Sequence, residues 1–261
     1  MSETSEITAW QDWAAQREAT ARTAYGVLSL TATNWLTGEQ AVDGLPGLWS
    51  ATPEGRVRLK ATTADELLLD FAPVDGTVDL RPDLDPAPQV LTYADLRLVP
   101  IVREGSVALR VYDPESAAHR AFDGIDRYGH NPALVVPARY TPYPAERRET
   151  VRNADGAQRG LTLSGEVRFE LAGQAHTFAA SEEGGGIGVI FHDPTNGAGS
   201  FGFRRLLLPA PAADGATLID FNRTFLPPCA FNEHSLCPLP PAGNRLDVAV
   251  EAGERQVRVR G

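Results

Sequence analysis

Two hydrophobic periods divide the chain. Over residues 5–22, SEITAWQDWAAQREATAR, the spacing is helical: Trp10, Trp13 and Arg17 fall at i, i+3 and i+7 on one face, with Ser5 where a cap belongs. This predicts an N-terminal α-helix pinned to the rest of the protein by its two tryptophans. From about residue 45 the period changes to two. Short β-branched or aromatic segments follow one another, among them GRVRLKAT, DLRLVPIVR, SVALRVYD, LTLSGEVRFEL, GIGVIFHD, TLIDFN and RQVRVR. Turn signals separate them, such as Pro53-Glu54-Gly55, Glu104-Gly105, Ala172-Gly173-Gln174 and Asn196-Gly197. Many short strands without alternating helices predict a mainly β fold, an antiparallel β-barrel or sandwich with an N-terminal α-helix. The pairs 95–103 with 106–113 and 161–171 with 174–180 read as tight hairpins. Residues 81–88, RPDLDPAP, and 141–158 read as surface loops. Neither marks a shift in composition, so the expected organisation is a helix over 1–24 packed on a single all-β domain over 25–261.

Composition narrows the class. With 261 residues, 43% hydrophobic and 22% charged, the chain can bury a sizeable core. Its longest apolar stretches, such as Leu206–Leu208 and Gly186–Phe191, fall far short of the roughly 20 residues of a membrane-spanning helix. The start, MSETSEITAWQDW, lacks the basic and apolar regions of a secretory signal, so a cytoplasmic protein without a membrane partner is expected. Net charge is −10, from 24 basic and 34 acidic residues. The nearest thing to a basic cluster, Arg147-Arg148 with Arg152, is interleaved with Glu146 and Glu149. Nucleic acid is therefore excluded as a partner. There is no G-x-S-x-G elbow, H-E-x-x-H helix, P-loop or C-x-x-C pair. The run Gly184-Gly185-Gly186-Ile187-Gly188 lacks the strand-then-helix setting of a dinucleotide loop. No cofactor is implied.

The unusual chemistry lies in residues 191–254. Asp193-Pro194-Thr195-Asn196-Gly197 reads as a turn, with His192 and Asp193 at a strand end where side chains project into a pocket. Asp193 is a candidate acid or base, and His192 a candidate base because an ordinary imidazole titrates near about 6.5. Asp220 and Asn222, two apart on a strand, share the face opposite Ile219 and Phe221. They face solvent or a cavity, or bond the proline-rich turn that follows. Arg204 and Arg205 point to opposite faces, so only one can neutralise a carboxylate there. Cys229 and Cys237 are the only cysteines, spaced C-x7-C in a proline-rich loop. They are a loop-closing disulfide, a pair of buried inert thiols, or a nucleophilic or redox thiol. With His234 and Asp193 or His192 they also suggest a metal site, but the spacing is not a zinc pattern and no metal is assigned. His119, His130 and His176 have no partners in sequence and read as surface or structural.

The blocks FHDPTNGAGSFGFRRLLL and LIDFNRTFLPPCAFNEHSLCPLPPAGNRLDVAVEAGER, with REGSVALRVYD and AFDG earlier, carry a resemblance. They resemble the bacterial and archaeal family called domain of unknown function 1684, over roughly residues 10 to 255. The most specific part is DFN…P-x-C-A-F…C-P-L-P-P…N-R-L…A-G-E. The resemblance implies positions and no reaction. It marks Arg103, Arg110, Asp113, Asp193, Thr195, Arg205, Asp220, Asn222, Cys229, Cys237 and Asn244, and it favours Arg205 over Arg204 beside the carboxylate. Where the family usually carries tyrosine this chain has Phe201 and Phe225, so no phenol is available at those places.

These observations lead first to a cofactor-free enzyme, hydrolase- or lyase-like, acting on a small organic molecule in a β-barrel cavity. Asp193, Asp220 and His192 are its catalytic candidates. Arg205, Asn222, Arg103 and Arg110 are its substrate-binding candidates, and Cys229 and Cys237 shape the covering loop. The rival is a non-catalytic module binding a small molecule or a partner protein. Its mark is a mostly apolar pocket with the Arg–Asp pairs saturated among themselves. A thiol- or metal-dependent protein is the third reading.

Overall fold

Regular elements follow the predicted punctuation closely. The computed structural model describes residues 3–260 and is mainly β, with antiparallel sheets and one N-terminal helix. The elements are α1 (Glu3–Ala21), β1 (Leu30–Leu36), β2 (Gln40–Val42), β3 (Leu45–Ala51), β4 (Val57–Ala61), β5 (Leu67–Leu69), β6 (Ala72–Pro73), β7 (Gly76–Leu80), β8 (Leu91–Tyr93), β9 (Leu96–Arg103) and β10 (Ser106–Tyr112). After them come α2 (Ala117–Ala121), β11 (Phe122–Arg127), β12 (Val135–Arg152), β13 (Gln158–Leu171), β14 (Gln174–Glu183), β15 (Gly186–Phe191), β16 (Arg204–Leu208), β17 (Ala216–Asp220) and β18 (Glu254–Val259). By contacts the chain divides into two compact units, Ala21–Ala121 and Met1–Thr20 with Phe122–Gly261. The sequence reading has one β domain over 25–261. No linker announces the division, because α2 runs straight into β11.

In the Ala21–Ala121 unit, a sheet ordered β2-β3-β4-β7 and a sheet ordered β1-β10-β9-β8-β5-β6 share one core. Trp49, Leu59 and Leu80 enter it from the first sheet, and Leu67, Leu98 and Leu109 from the second. Strand β4 alternates strictly: Val57, Leu59 and Ala61 are buried while Arg58 and Lys60 are exposed. The β9–β10 hairpin closes at Arg103 and Ser106 over Glu104 (φ 52°) and Gly105 (φ 80°). Two left-handed residues are what a tight hairpin turn requires.

In the other unit a six-stranded sheet runs β16-β15-β14-β13-β12-β17, beside the pair β11-β18. Inward positions such as Val167, Phe169, Phe178, Val189, Phe191, Leu206, Leu208 and Ile219 form its core. The sheet curls into a half-barrel, and its two edge strands approach each other. Between them the Thr217 hydroxyl donates to the carbonyl of Pro209 (3.1 Å). Helix α1 lies on this unit. The Trp10 indole N–H donates to the Asn222 carbonyl (3.0 Å), and the Arg17 guanidinium sits 4.9 Å from the centre of the Phe225 ring. No helix among the described residues is long and apolar enough to cross a membrane.

Two local expectations are corrected. Residues 141–152 are not a loop but the second half of β12, paired with β13 as far as Arg152 opposite Gln158 and offset between Pro142 and Arg147. Most of this stretch is exposed, so no apolar alternation marks it; Val151 is its one buried residue. Strand β17 ends at Asp220, and Phe221–Arg223 is a 3-10 turn. Asp220 and Asn222 therefore do not share a strand face. The Asp220 carboxylate accepts the Asn222 backbone N–H (3.0 Å), which winds the chain and buries Asn222 completely.

Candidate functional site

The Asp193 turn forms as its residues dictate. The Asp193 carboxylate accepts the Thr195 N–H (2.7 Å), the Asn196 side-chain oxygen accepts the Asp193 N–H (2.7 Å), and Gly197 takes φ 81°. The turn is also sealed. Asp193 and Arg204 are both fully buried and meet at 2.5 Å. Arg204 further donates to the carbonyls of Ala252 (2.7 Å) and Val250 (2.8 Å) and to the Thr195 hydroxyl (3.2 Å). Its partner choice follows from strand parity: Arg204 points inward from β16, and Arg205 points out to Glu183 (2.6 Å). Neither arginine is thus the partner expected for the Asp220 carboxylate, where the resemblance favours Arg205; Asp220 meets Arg223 instead.

A second buried carboxylate ties down α1. Glu254, fully buried, accepts the Arg17 guanidinium through both oxygens (2.9 and 3.0 Å) and the Leu226 N–H (2.8 Å). Sequence reasoning placed Arg17 on the inward face of the helix but gave Glu254 no role. The A-G-E at the end of the family pattern was its only signal.

A concavity lies at the half-barrel's open seam. A cleft of about 690 Å³ is lined by Leu206–Ala210, by Leu218 and Asp220 of β17, and by Gly184–Gly186. Glu6 and Ala9 of α1, His130, Pro132, Val135 and Arg223 complete it. Leu207 and Leu218, 51% and 41% exposed, present their side chains outside the core. The backbone N–H and C=O of Arg205 both bond Phe225 (2.9 and 2.9 Å). Strand parity therefore turns the peptide groups of Leu207, two residues on, to the same open edge. The glycine run is the β14–β15 turn, with Gly184 at φ 57° and Gly185 at φ 80°. Gly186 sits so close to β16 that a Cβ there would lie 2.4 Å from the Leu208 carbonyl oxygen.

Of the candidate residues, only Asp220 reaches this cleft. One of its oxygens accepts the Asn222 backbone and side-chain N–H groups (3.0 Å each), and the other meets Arg223 at 3.2 Å. Asn222 itself clamps the backbone of Asn131 through both side-chain atoms (2.7 and 2.9 Å). His192 lies beside Asp193 with a buried, unpartnered Nδ1. Burial, then the nearby Arg245 charge, lowers its pKa below the ordinary value, while Asp193 opposes them. Arg103 and Arg110 belong to the Ala21–Ala121 unit, where Arg103 holds Asp83 through two nitrogens (3.0 and 2.6 Å). His130, read from sequence as surface or structural, lines the cleft and packs on Trp10 with ring centres 5.7 Å apart.

Cys229 and Cys237 come together as thiols. The Cys229 N–H donates to Cys237 Sγ (3.2 Å). The hydrogen bond to Cys237, then burial, pushes the Cys229 thiol well above its ordinary pKa, against the pull of Arg205. No group of three or more His, Cys, Asp or Glu residues suited to a metal occurs among the described residues.

Comparison with known proteins adds a family and a likeness to a solved structure. A family model described as "Protein of unknown function (DUF1684)" matches residues 120–255. The solution NMR structure of an uncharacterised protein from Haloarcula marismortui is 29% identical, over 52% of this chain and 77% of that one, with a TM-score of 0.43. No curated protein matches.

Proposed function

The chain belongs to the DUF1684 family, whose description names no activity, and we propose from the geometry of its cleft that residues 122–260 form a non-catalytic module binding a small, mainly apolar molecule. The cleft between β16 and β17 is the site. One observation carries the reading: apolar walls meet a polar rim whose central carboxylate, Asp220, is already engaged through both oxygens. An acid or base must offer an open atom to its substrate. The Asp193–Arg204 pair is sealed and the Asp220 carboxylate is held within its own turn, which supports a binder over a catalyst. The volume, about 690 Å³, suits a ligand of ordinary metabolite size. Since Arg223 matches Asp220, Glu6 leaves the rim acidic overall, and a neutral or cationic polar group is favoured over a carboxylate.

The test is a titration with Nile red, an uncharged apolar dye. Saturable binding is expected, displaced by octanol or octylamine at lower concentrations than by octanoate. Leu207→Arg and Leu218→Arg each place a charge on the apolar wall, at positions outside the core. Each is expected to weaken the dye by about tenfold or more, the equivalent of losing one buried leucine contact. Non-saturable binding, or affinity untouched by both substitutions, would falsify the reading.

A further inference from the structure

We infer that Cys229 and Cys237 are a disulfide-forming pair, closed by exchange with a small-molecule disulfide, that fastens the Pro228–Ala230 turn to the end of β12. Neither cysteine lines the cleft, so the inference stands apart from the binding reading.

The loop between the cysteines is wound so that its ends meet. The Asn232 side-chain oxygen accepts the His234 N–H (2.9 Å) and the Ser235 hydroxyl (3.1 Å). At one end, Cys229 sits on a turn closed locally by Ala230 N–H to Pro227 C=O (2.9 Å) and Phe231 N–H to Pro228 C=O (3.0 Å). At the other, the chain is held by β12 and the turn after it. The Ala154 N–H donates to the Cys237 carbonyl (2.8 Å), the Leu239 N–H to that of Arg152 (2.8 Å), and the Asn153 amide to that of Leu236 (3.2 Å). A covalent bond here joins a local turn to an anchored segment. Both sulfurs lie in one apolar cluster with Ile190 and Phe203. Cys237 is 6% exposed whereas Cys229 is half-buried, so an outside reagent meets Cys229 first.

The exchange balances as follows. The Cys229 thiol, whose raised pKa makes this step slow and quicker at alkaline pH, gives up its proton and attacks one sulfur of R–S–S–R, forming Cys229–S–S–R and expelling a thiolate. The Cys237 thiol then gives up its proton and attacks the Cys229 sulfur, forming the intramolecular bond and expelling the second thiolate. The two protons end on the two released thiols. Two electrons pass from the cysteine pair to the reagent, which is reduced to 2 R–SH.

The experiment treats the intact, pre-reduced protein with excess oxidised glutathione, then alkylates it under denaturing conditions and weighs it. The wild type is expected to go from two alkyl adducts to none, two hydrogens lighter and without bound glutathione. Cys237→Ser is expected to stop at one glutathione adduct on Cys229. The closed form is expected to melt higher than the reduced one by roughly 5 °C. Two alkylatable thiols surviving the oxidant, or a wild-type product retaining glutathione or joined to a second chain, would overturn the inference. A lower melting point for the closed form would overturn the fastening role.

Discussion

Asp193 and Asp220 are the same residue type in the same unit, each beside an arginine, yet their surroundings set them to different work. Asp193 and Arg204 are fully buried, and Arg204 also holds the carbonyls of Val250 and Ala252. Asp220 and Arg223 keep 27% and 42% of their side-chain surfaces in water at the rim of the cleft. A buried charge without its partner is costly, whereas an exposed pair contributes little. The residues richest in apparent chemistry thus hold the half-barrel together. Plain leucines and glycines around Asp220 make the concave surface.

The largest effect expected follows from opening the sealed pair. Arg204→Met strands the Asp193 charge and the carbonyls beside it, and urea unfolding is expected to register a loss of about 3–5 kcal/mol. In a double-mutant cycle with Asp193→Asn the two losses should fall well short of adding. A near-additive cycle would break the comparison at its centre. Next comes Glu254→Ala, which frees Arg17 and the Leu226 N–H. Because Arg17 is partly exposed, the loss expected is smaller, about 2 kcal/mol. Hydrogen exchange should quicken in α1 more than in β13 and β14. Asp220→Asn, at the exposed pair, is expected to cost no more than about 1 kcal/mol in the same unfolding assay.

The smallest effect sharpens the contrast through pH. His192 has its folded pKa below the ordinary 6.5, so the unfolded chain takes up its proton more readily. Stability should accordingly fall as pH drops from about that value towards the depressed one. His192→Asn is expected to flatten that part of the curve, measured by urea unfolding at successive pH values. An unchanged slope would remove burial as the cause.

The periodic parts of the molecule were legible in sequence. The helix, the β9–β10 and β13–β14 hairpins and the antiparallel β class follow from apolar spacing and turn residues, which act locally. The second half of β12 was not legible, because a strand largely exposed along its length has no alternation to reveal it. Asn222 looked like a strand residue facing outward, since nothing in its spacing shows that the Asp220 side chain would wind the next turn. The cleft was hidden for a different reason. It depends on β16 and β17 meeting across the sheet, and its wall uses Leu207 and Leu218 at outward positions of alternating strands. One local sign existed: three successive leucines in β16 force one of them out of the core. His130 carried no such sign, because a loop imidazole acquires its neighbours only through the fold.

The most direct test sets one substitution from each region side by side, recording Nile red affinity and unfolding free energy for Asp193→Asn and Leu207→Arg. The account predicts that Asp193→Asn loses about 3 kcal/mol or more of stability while its folded form binds the dye within about twofold of wild type. Leu207→Arg should instead keep its stability within about 1 kcal/mol and lose affinity by about tenfold or more. The reverse pattern, with binding lost at Asp193 and untouched at Leu207, would contradict it.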